Sequence, residues 1–197
     1  MRKKLSSLGV THRPHLKTSK CIDVAKQVFG GNFGPITVST LAEANYFCES
    51  GFKDIMYAVG INPNKLCEVK SLIDKGADLK IILDSEEIAR EVASFGATNS
   101  LSIKTLLELN CDDHRAGLEP LEETTVKTAK ILHESLGADF KGVMTHAGAS
   151  YHCKTIKAIE KIAEIERKAV VDCADLLNQN GIPTPIISVG SSPTALH

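Results

Sequence analysis

Short apolar runs alternate with amphipathic helical stretches along the whole chain, and this alternation limits the fold more than any other feature. Candidate strands lie at 15–17, 36–39, 55–59, 79–83, 106–110, 142–145 and 186–189. Between them the pattern turns helical. At 40–49, Ser39 or Thr40 can cap and Glu43 can close a capping box. At 85–93, a serine followed by Glu86 and Glu87 favours a helix N-terminus. The clearest helix spans about 155–178, where Ile156, Ile159, Ile162, Ala163, Ile165, Ala169, Val170, Cys173, Leu176 and Leu177 recur at three- and four-residue steps. Gly181 and Pro183 end it before the last strand. Repeated strand–helix units require a parallel sheet, either open and doubly wound or closed as a barrel. Periodicity alone leaves both open. The seven candidate strands fall one short of a (β/α)8 barrel.

At 197 residues the chain suits a single domain, 1–197. With 23 basic and 24 acidic residues, the net charge of -1 gives no reason to expect nucleic acid or an anionic membrane as partner. No apolar run is long enough to cross a bilayer. Met1 to Lys4 is basic, but Ser6, Ser7, Thr11 and His12 follow where a signal peptide needs an apolar core, so a cytoplasmic location is expected. Cys21, Cys48, Cys67, Cys111, Cys153 and Cys173 are scattered without a CxxC, as expected of reduced thiols. His152 and Cys153 are sequence neighbours that would alternate faces in a strand, so no metal site is expected there.

Four polar clusters sit at the C-terminal ends of candidate strands, the rim where α/β barrels place their sites. RPHLKTSK, Arg13 to Lys20, puts Lys17 beside a histidine and two hydroxyl residues. It reads as a solvated loop, or as a Schiff-base lysine whose amine is freed by burial. NCDDHRAGL, Asn110 to Leu118, places Arg115 after a strand, either in an ordinary loop or as a fixed cation beside a ligand oxygen. In GVMTHAGASY, His146 precedes small residues that leave room for a flat ligand, although a lone histidine is more often structural. In SVGSSPT, Gly190 frees the backbone, Ser192 suits an N-cap and Pro193 the first helical position, a combination that can bind an anion. Any capped helix looks similar.

Taken in order, RPHLKTSK, VSTLAEA with GFKDIMYAVG, NCDDHRAGL, GVMTHAG-SY and SVGSSPT resemble the motifs of fold-type III pyridoxal 5′-phosphate (PLP) enzymes. Within that family they look most like the D-serine dehydratase and D-threonine aldolase branch, whose barrel resembles that of alanine racemase. The resemblance implies an α/β fold of the (β/α)8 TIM-like, alanine racemase type, apparently incomplete, with about seven strands. It also implies that Lys17 holds the cofactor and later acts as base at the substrate α-carbon. Arg115 would face the phenolic oxygen or support the residue that does, His146 would pack near the ring and Tyr151 would lie within reach of the pyridine edge. Gly190, Ser191, Ser192 and Thr194 would hold the phosphate. Ala149 stands where relatives carry a side chain such as histidine or asparagine, so one polar contact is expected to be missing.

Relatives have a strand before the lysine segment and a long stretch after SVGSSPT, which includes a second, β-rich domain. The resemblance therefore implies a chain truncated at both ends, without the divalent-metal ligands that the second domain carries. The expected function is a PLP-dependent lyase acting on a β-hydroxy D-amino acid, by dehydration or retro-aldol cleavage. A non-catalytic PLP-binding fragment or decayed enzyme is the alternative, with an amino-acid racemase as a second. An unrelated α/β scaffold would require every motif to be coincidental. Relatives often pair subunits across the active site, so a homodimer is compatible.

Overall fold

The computed structural model describes residues 1–113 and 115–197 and divides into two compact units, Met1–Ile81 and Ile82–His197. In the first unit, helices α1 (Arg2–Ser7) and α2 (Ile22–Val28) precede strand β1 (Ile36–Val38). Helix α3 (Leu41–Glu49), strand β2 (Asp54–Gly60), helix α4 (Leu66–Asp74) and strand β3 (Asp78–Leu83) follow, and the division falls within β3. The second unit continues with α5 (Glu86–Thr98), β4 (Ile103–Leu109), α6 (Glu123–Glu134), β5 (Ala138–Thr145), α7 (Ile156–Gln179) and β6 (Ile186–Ser188).

Local chemistry explains the helix starts. Thr40 accepts the Glu43 amide at 3.0 Å while the Glu43 carboxylate accepts the Ser39 amide at 2.8 Å, a near-reciprocal capping box. Ser85 and Thr155 cap α5 and α7 in the same way, each accepting the amide three residues on.

Among the described residues six strands form where seven were expected, because 15–17 is not a strand. His15 makes a single parallel bridge to Thr37, with Leu16 donating to the Thr37 carbonyl at 2.9 Å. Pro14 carries no amide proton and so cannot donate to a longer ladder. The strands at 106–110 and 142–145 begin earlier than expected, at Ile103 and Ala138.

In the first unit β1 and β2 pair in parallel, Ile36 opposite Ile55 and Val38 opposite Tyr57, and all four are buried. Phe52 is fully buried with the rings of Phe29, Phe33 and Phe47 around it. Beside this core lies a charge network. Arg13 grips Asp54 with both guanidinium arms, at 2.8 and 3.1 Å, and the buried Lys80 reaches Asp54 at 2.8 Å and Asp78 at 3.0 Å. Burial alone would raise the Asp54 pKa, but Arg13 and Lys80 outweigh it and hold the carboxyl below its usual range.

In the second unit β4 pairs with β5 and β5 with β6, both in parallel. Helix α7 presents Val170, Cys173 and Leu177 to the interior. The expected apolar stripe is only partly the buried one: Ile156 and Ile165 are exposed, and Glu166 occupies the buried line instead. Helix α5 meets the segment before β5 at backbone distance. A Cβ on Gly96 would lie 1.9 Å from the Gly137 carbonyl oxygen, and one on Gly137 would lie 2.0 Å from the Ala93 oxygen. Backbone cannot swing aside as a side chain can. Gly96→Ala is therefore expected to lower unfolding stability by about 3 kcal/mol despite the better helix propensity of alanine. Urea denaturation tests this against Gly60→Ala, where nothing lies within 4 Å and a change within about 0.5 kcal/mol is expected.

Candidate functional site

Parallel pairing sends the segments that follow β4, β5 and β6 off the same edge of their sheet, and three of the four polar clusters lie in those segments. The first is built around Asn110. Its side-chain oxygen accepts the amides of Asp112 and Asp113 at 3.3 and 2.9 Å, and its amide group donates to Asp113 and Glu119, each at 2.7 Å. Gly117 (φ +135) then lets the chain fold back onto β4: a Cβ there would lie 2.4 Å from the Asn110 nitrogen. Within this motif His114 lies outside the described residues.

The second segment forms a short 3-10 turn, Gly148–His152, and the third closes with another, Thr194–Leu196. Ser192 does not cap an α-helix, since Pro193 takes the cap position of this three-residue turn. Asp112 reaches from the first segment to the second, accepting the Ala149 amide at 2.6 Å. Ala149 is thus tied through its backbone where a polar side chain was expected to be missing. Ser150 reaches from the second to the third, its hydroxyl 2.7 Å from that of Ser191.

Beneath both later segments sits Glu166. Its carboxylate accepts the Ala147 amide at 2.8 Å, the Gly190 amide at 3.3 Å and the Thr194 hydroxyl at 2.7 Å. Burial pushes its pKa above the usual carboxylate range against the pull of those donors, and the charge of Asp112 adds to the rise. Above, the ring of Tyr151 stacks on His146, centroids 5.9 Å apart and planes 28° from parallel, and its hydroxyl accepts the Ser192 amide at 3.4 Å. Tyr151 and Ser192 are exposed; Ser191 and Thr194 are buried.

Of the residues expected at the site, the structure therefore joins His146, Tyr151, Gly190, Ser191, Ser192 and Thr194 in one hydrogen-bonded and stacked assembly of the second unit. Arg115 is exposed on the segment after β4, its charge felt by Glu108. Lys17 belongs to the first unit and is exposed, its amide 3.3 Å from the His15 ring nitrogen. Sequence reasoning missed Glu166, Asp112 and Ser150. A signal for Glu166 was present: it shares the spacing of Val170, Cys173 and Leu177, the buried face of α7.

A cleft of about 490 Å3 lies beside the first segment, lined by Asp112, Asp113, Glu119, Glu122, Asp172 and Lys168 among others. Five carboxylates against one lysine disfavour an anion there. The six cysteines are free, and burial foremost pushes Cys111 up to about 11, which leaves it a thiol and a poor nucleophile. Among the described residues no three His, Cys, Asp or Glu side chains gather as metal ligands would, and no helix is long and apolar enough to cross a membrane.

The chain matches the family described as alanine racemase, N-terminal domain, over residues 1–197. It belongs to that family. D-threo-3-hydroxyaspartate dehydratase of Delftia sp. (strain HT23) is 40% identical over 198 residues, covering 100% of this chain and 52% of the relative. D-serine dehydratase of Dictyostelium discoideum is 32% identical over 209 residues, covering 100% and 53%. The solved structure of the Delftia dehydratase superposes with a TM-score of 0.94 at 39% identity, over 99% of this chain and 52% of that one. D-threonine aldolase from Filomicrobium marinum superposes at 0.85 over 95% and 51%, and at 19% identity that likeness concerns fold alone. The fold is thus the alanine racemase-like α/β fold. The chain spans about half the length of the relatives it matches.

Within this family fold, one acid beside Arg115 titrates near neutrality. Burial foremost, then the charge of Asp84, push Glu108 up to about 7, with Arg115 pulling the other way. The folded protein therefore holds this proton more tightly than the unfolded chain does. That contribution is complete below the ordinary value of 4.5 and is lost as pH rises through about 7. Discounted for partial exposure, it amounts to about 1 to 2 kcal/mol. Glu108→Gln is expected to remove that part of the slope in denaturation midpoints measured from pH 4 to pH 8.

Proposed function

We propose that this chain forms the PLP-binding part of a lyase that acts on a β-hydroxy D-amino acid, by dehydration or retro-aldol cleavage. One observation carries the reading: Tyr151 links a stacked ring face to the amide of the 189–194 turn. A flat aromatic ring bearing a phosphate needs those two surfaces side by side. The donor set fits such a group. Ser192 and Tyr151 are exposed, and around a Cβ built on Gly190 nothing lies within 4 Å, so an anion can approach the backbone closely. Tyr151 accepts from Ser192 and keeps its own O–H to donate.

In this reading Ser192 and Tyr151 take the phosphate, on a turn completed by Gly190, Ser191 and Thr194. His146 packs near the ring, and Arg115 supplies a cation for the phenolic oxygen. Lys17 provides the amine that fixes the cofactor and takes the proton from the substrate α-carbon. Bound, the cofactor supplies an electron sink for the carbon that loses the proton. In dehydration the β-hydroxyl would then leave as water, taking back the proton that Lys17 removed. In retro-aldol cleavage the α-proton would stay, the β-hydroxyl would give up its proton as the Cα–Cβ bond breaks, and the α-carbon would take up a proton to give glycine. The divalent metal implied by the resemblance would engage that hydroxyl, and no residue of this chain is assigned to it. A homodimer and a cytoplasmic location belong to the same proposal.

The test is an absorbance spectrum with added PLP, before and after borohydride. The expected outcome is a band that reduction traps on Lys17 and that Lys17→Ala lacks; no such band in the wild type sinks the reading. Tyr151→Phe is expected to weaken PLP about tenfold, the loss of one hydrogen bond to a charged group. Product assays with D-serine, D-threonine and D-threo-3-hydroxyaspartate, with and without EDTA, then sort the chemistry. Keto acid plus ammonia marks dehydration, and glycine plus an aldehyde marks aldol cleavage. An inverted α-carbon marks a racemase, and a band without product marks a cofactor-binding protein.

A further inference from the structure

A carboxylate in the core needs a reason. Glu166 is 3% exposed, on the face of α7 that otherwise carries Val170, Cys173 and Leu177. An apolar residue there would avoid the desolvation cost. What Glu166 has in return is a set of donors drawn from two different segments: Ala147 from the one after β5, Gly190 and Thr194 from the one after β6. The contacts continue as a chain of buried hydroxyls. Thr194 lies 2.9 Å from the Ser191 hydroxyl, Ser191 lies 2.7 Å from that of Ser150, and Ser150 donates to the Ala147 carbonyl at 2.8 Å.

Each hydroxyl has one proton, and an ionised carboxylate only accepts. With Glu166 ionised, the Thr194 proton points at Glu166, and the single Ser191 proton goes to Thr194 or to Ser150, the two hydroxyls within its reach. Neither hydroxyl then has a proton left for an outside ligand, and the Gly190 amide is also turned inward. The donors on the outer side are those of Ser192 and Tyr151, both exposed.

We propose that Glu166 is the positioning residue of the 189–194 turn: it holds Gly190 and Thr194 inward so that Ser192 and Tyr151 face a phosphate. Ser191 and Thr194 then act through the turn's shape and not by giving their hydroxyl protons to the ligand. This rests on the reading of the turn as phosphate-binding.

The experiment compares PLP with pyridoxal, which lacks the phosphate, in wild type, Glu166→Ala, Glu166→Gln and Thr194→Val, following the absorbance of the adduct. Glu166→Ala and Thr194→Val are expected to weaken PLP at least tenfold while pyridoxal binding stays within twofold. Glu166→Gln, whose amide oxygen can still accept from Ala147 and Gly190, is expected to recover PLP binding to within about threefold of wild type. Unchanged PLP affinity in Glu166→Ala, or PLP and pyridoxal weakened alike, overturns the proposal. Should Glu166→Ala fail to fold, the near-isosteric Thr194→Val decides by the same comparison. Amide hydrogen exchange without PLP separates this proposal from the cofactor reading. If wild type forms no adduct on Lys17, the cofactor reading fails. Faster exchange at Ala147 and Gly190 in Thr194→Val then still upholds the anchoring, and unchanged exchange overturns it.

Discussion

Two parallel strands cannot be joined by a tight turn, because the chain must return to the starting edge before it can run alongside itself again. Each crossover here is a helix, and each strand end in the second unit is followed by a segment that leaves from the same side. Residues far apart in sequence therefore become neighbours with no dedicated device. Asp112 meets Ala149 and Ser150 meets Ser191 for this reason. The polar assembly is a consequence of strand direction. What the individual side chains add is its exact conformation.

Both units hold buried charge, but to different ends. In the first, Arg13, Lys80, Asp54 and Asp78 neutralise one another within a few ångströms, and every charge has an opposite partner. Such a network is self-sufficient and needs nothing from outside. In the second, Glu166 is met by two amides and a hydroxyl and by no cation in those contacts. A carboxylate held by neutral donors keeps its charge at a cost, which is why burial pushes its pKa up. The arrangement orders two segments at once, which an apolar residue on α7 could not do.

Membership of the alanine racemase N-terminal domain family places this chain among proteins that include dehydratases named for D-serine and D-threo-3-hydroxyaspartate. The chain spans about half their length, and its function rests on the site itself. Tyr151 is the residue on which it turns. Its ring serves the stacked face and its hydroxyl serves the turn, so one side chain sets the spacing between those two surfaces.

The alternation of apolar runs and helical stripes determined the element order, since each element must bury its own apolar face. The caps at Thr40 and Ser85 were equally legible, because a cap is made by residues three apart. The same alternation predicts a strand at 15–17, yet only one bridge to Thr37 forms. Pairing depends on a partner far along the chain, which local pattern does not specify. For the same reason the clusters at His146–Tyr151 and Gly190–Thr194 were legible as motifs, while their joining through Glu166, Ser150 and Tyr151 was not. Glu166 is separated by 19 residues from Ala147 and by 28 from Thr194. Nothing in the intervening sequence sets those distances. Packing of α7 against its sheet does, and only the tertiary structure could turn an isolated glutamate on an apolar stripe into the anchor of two loops.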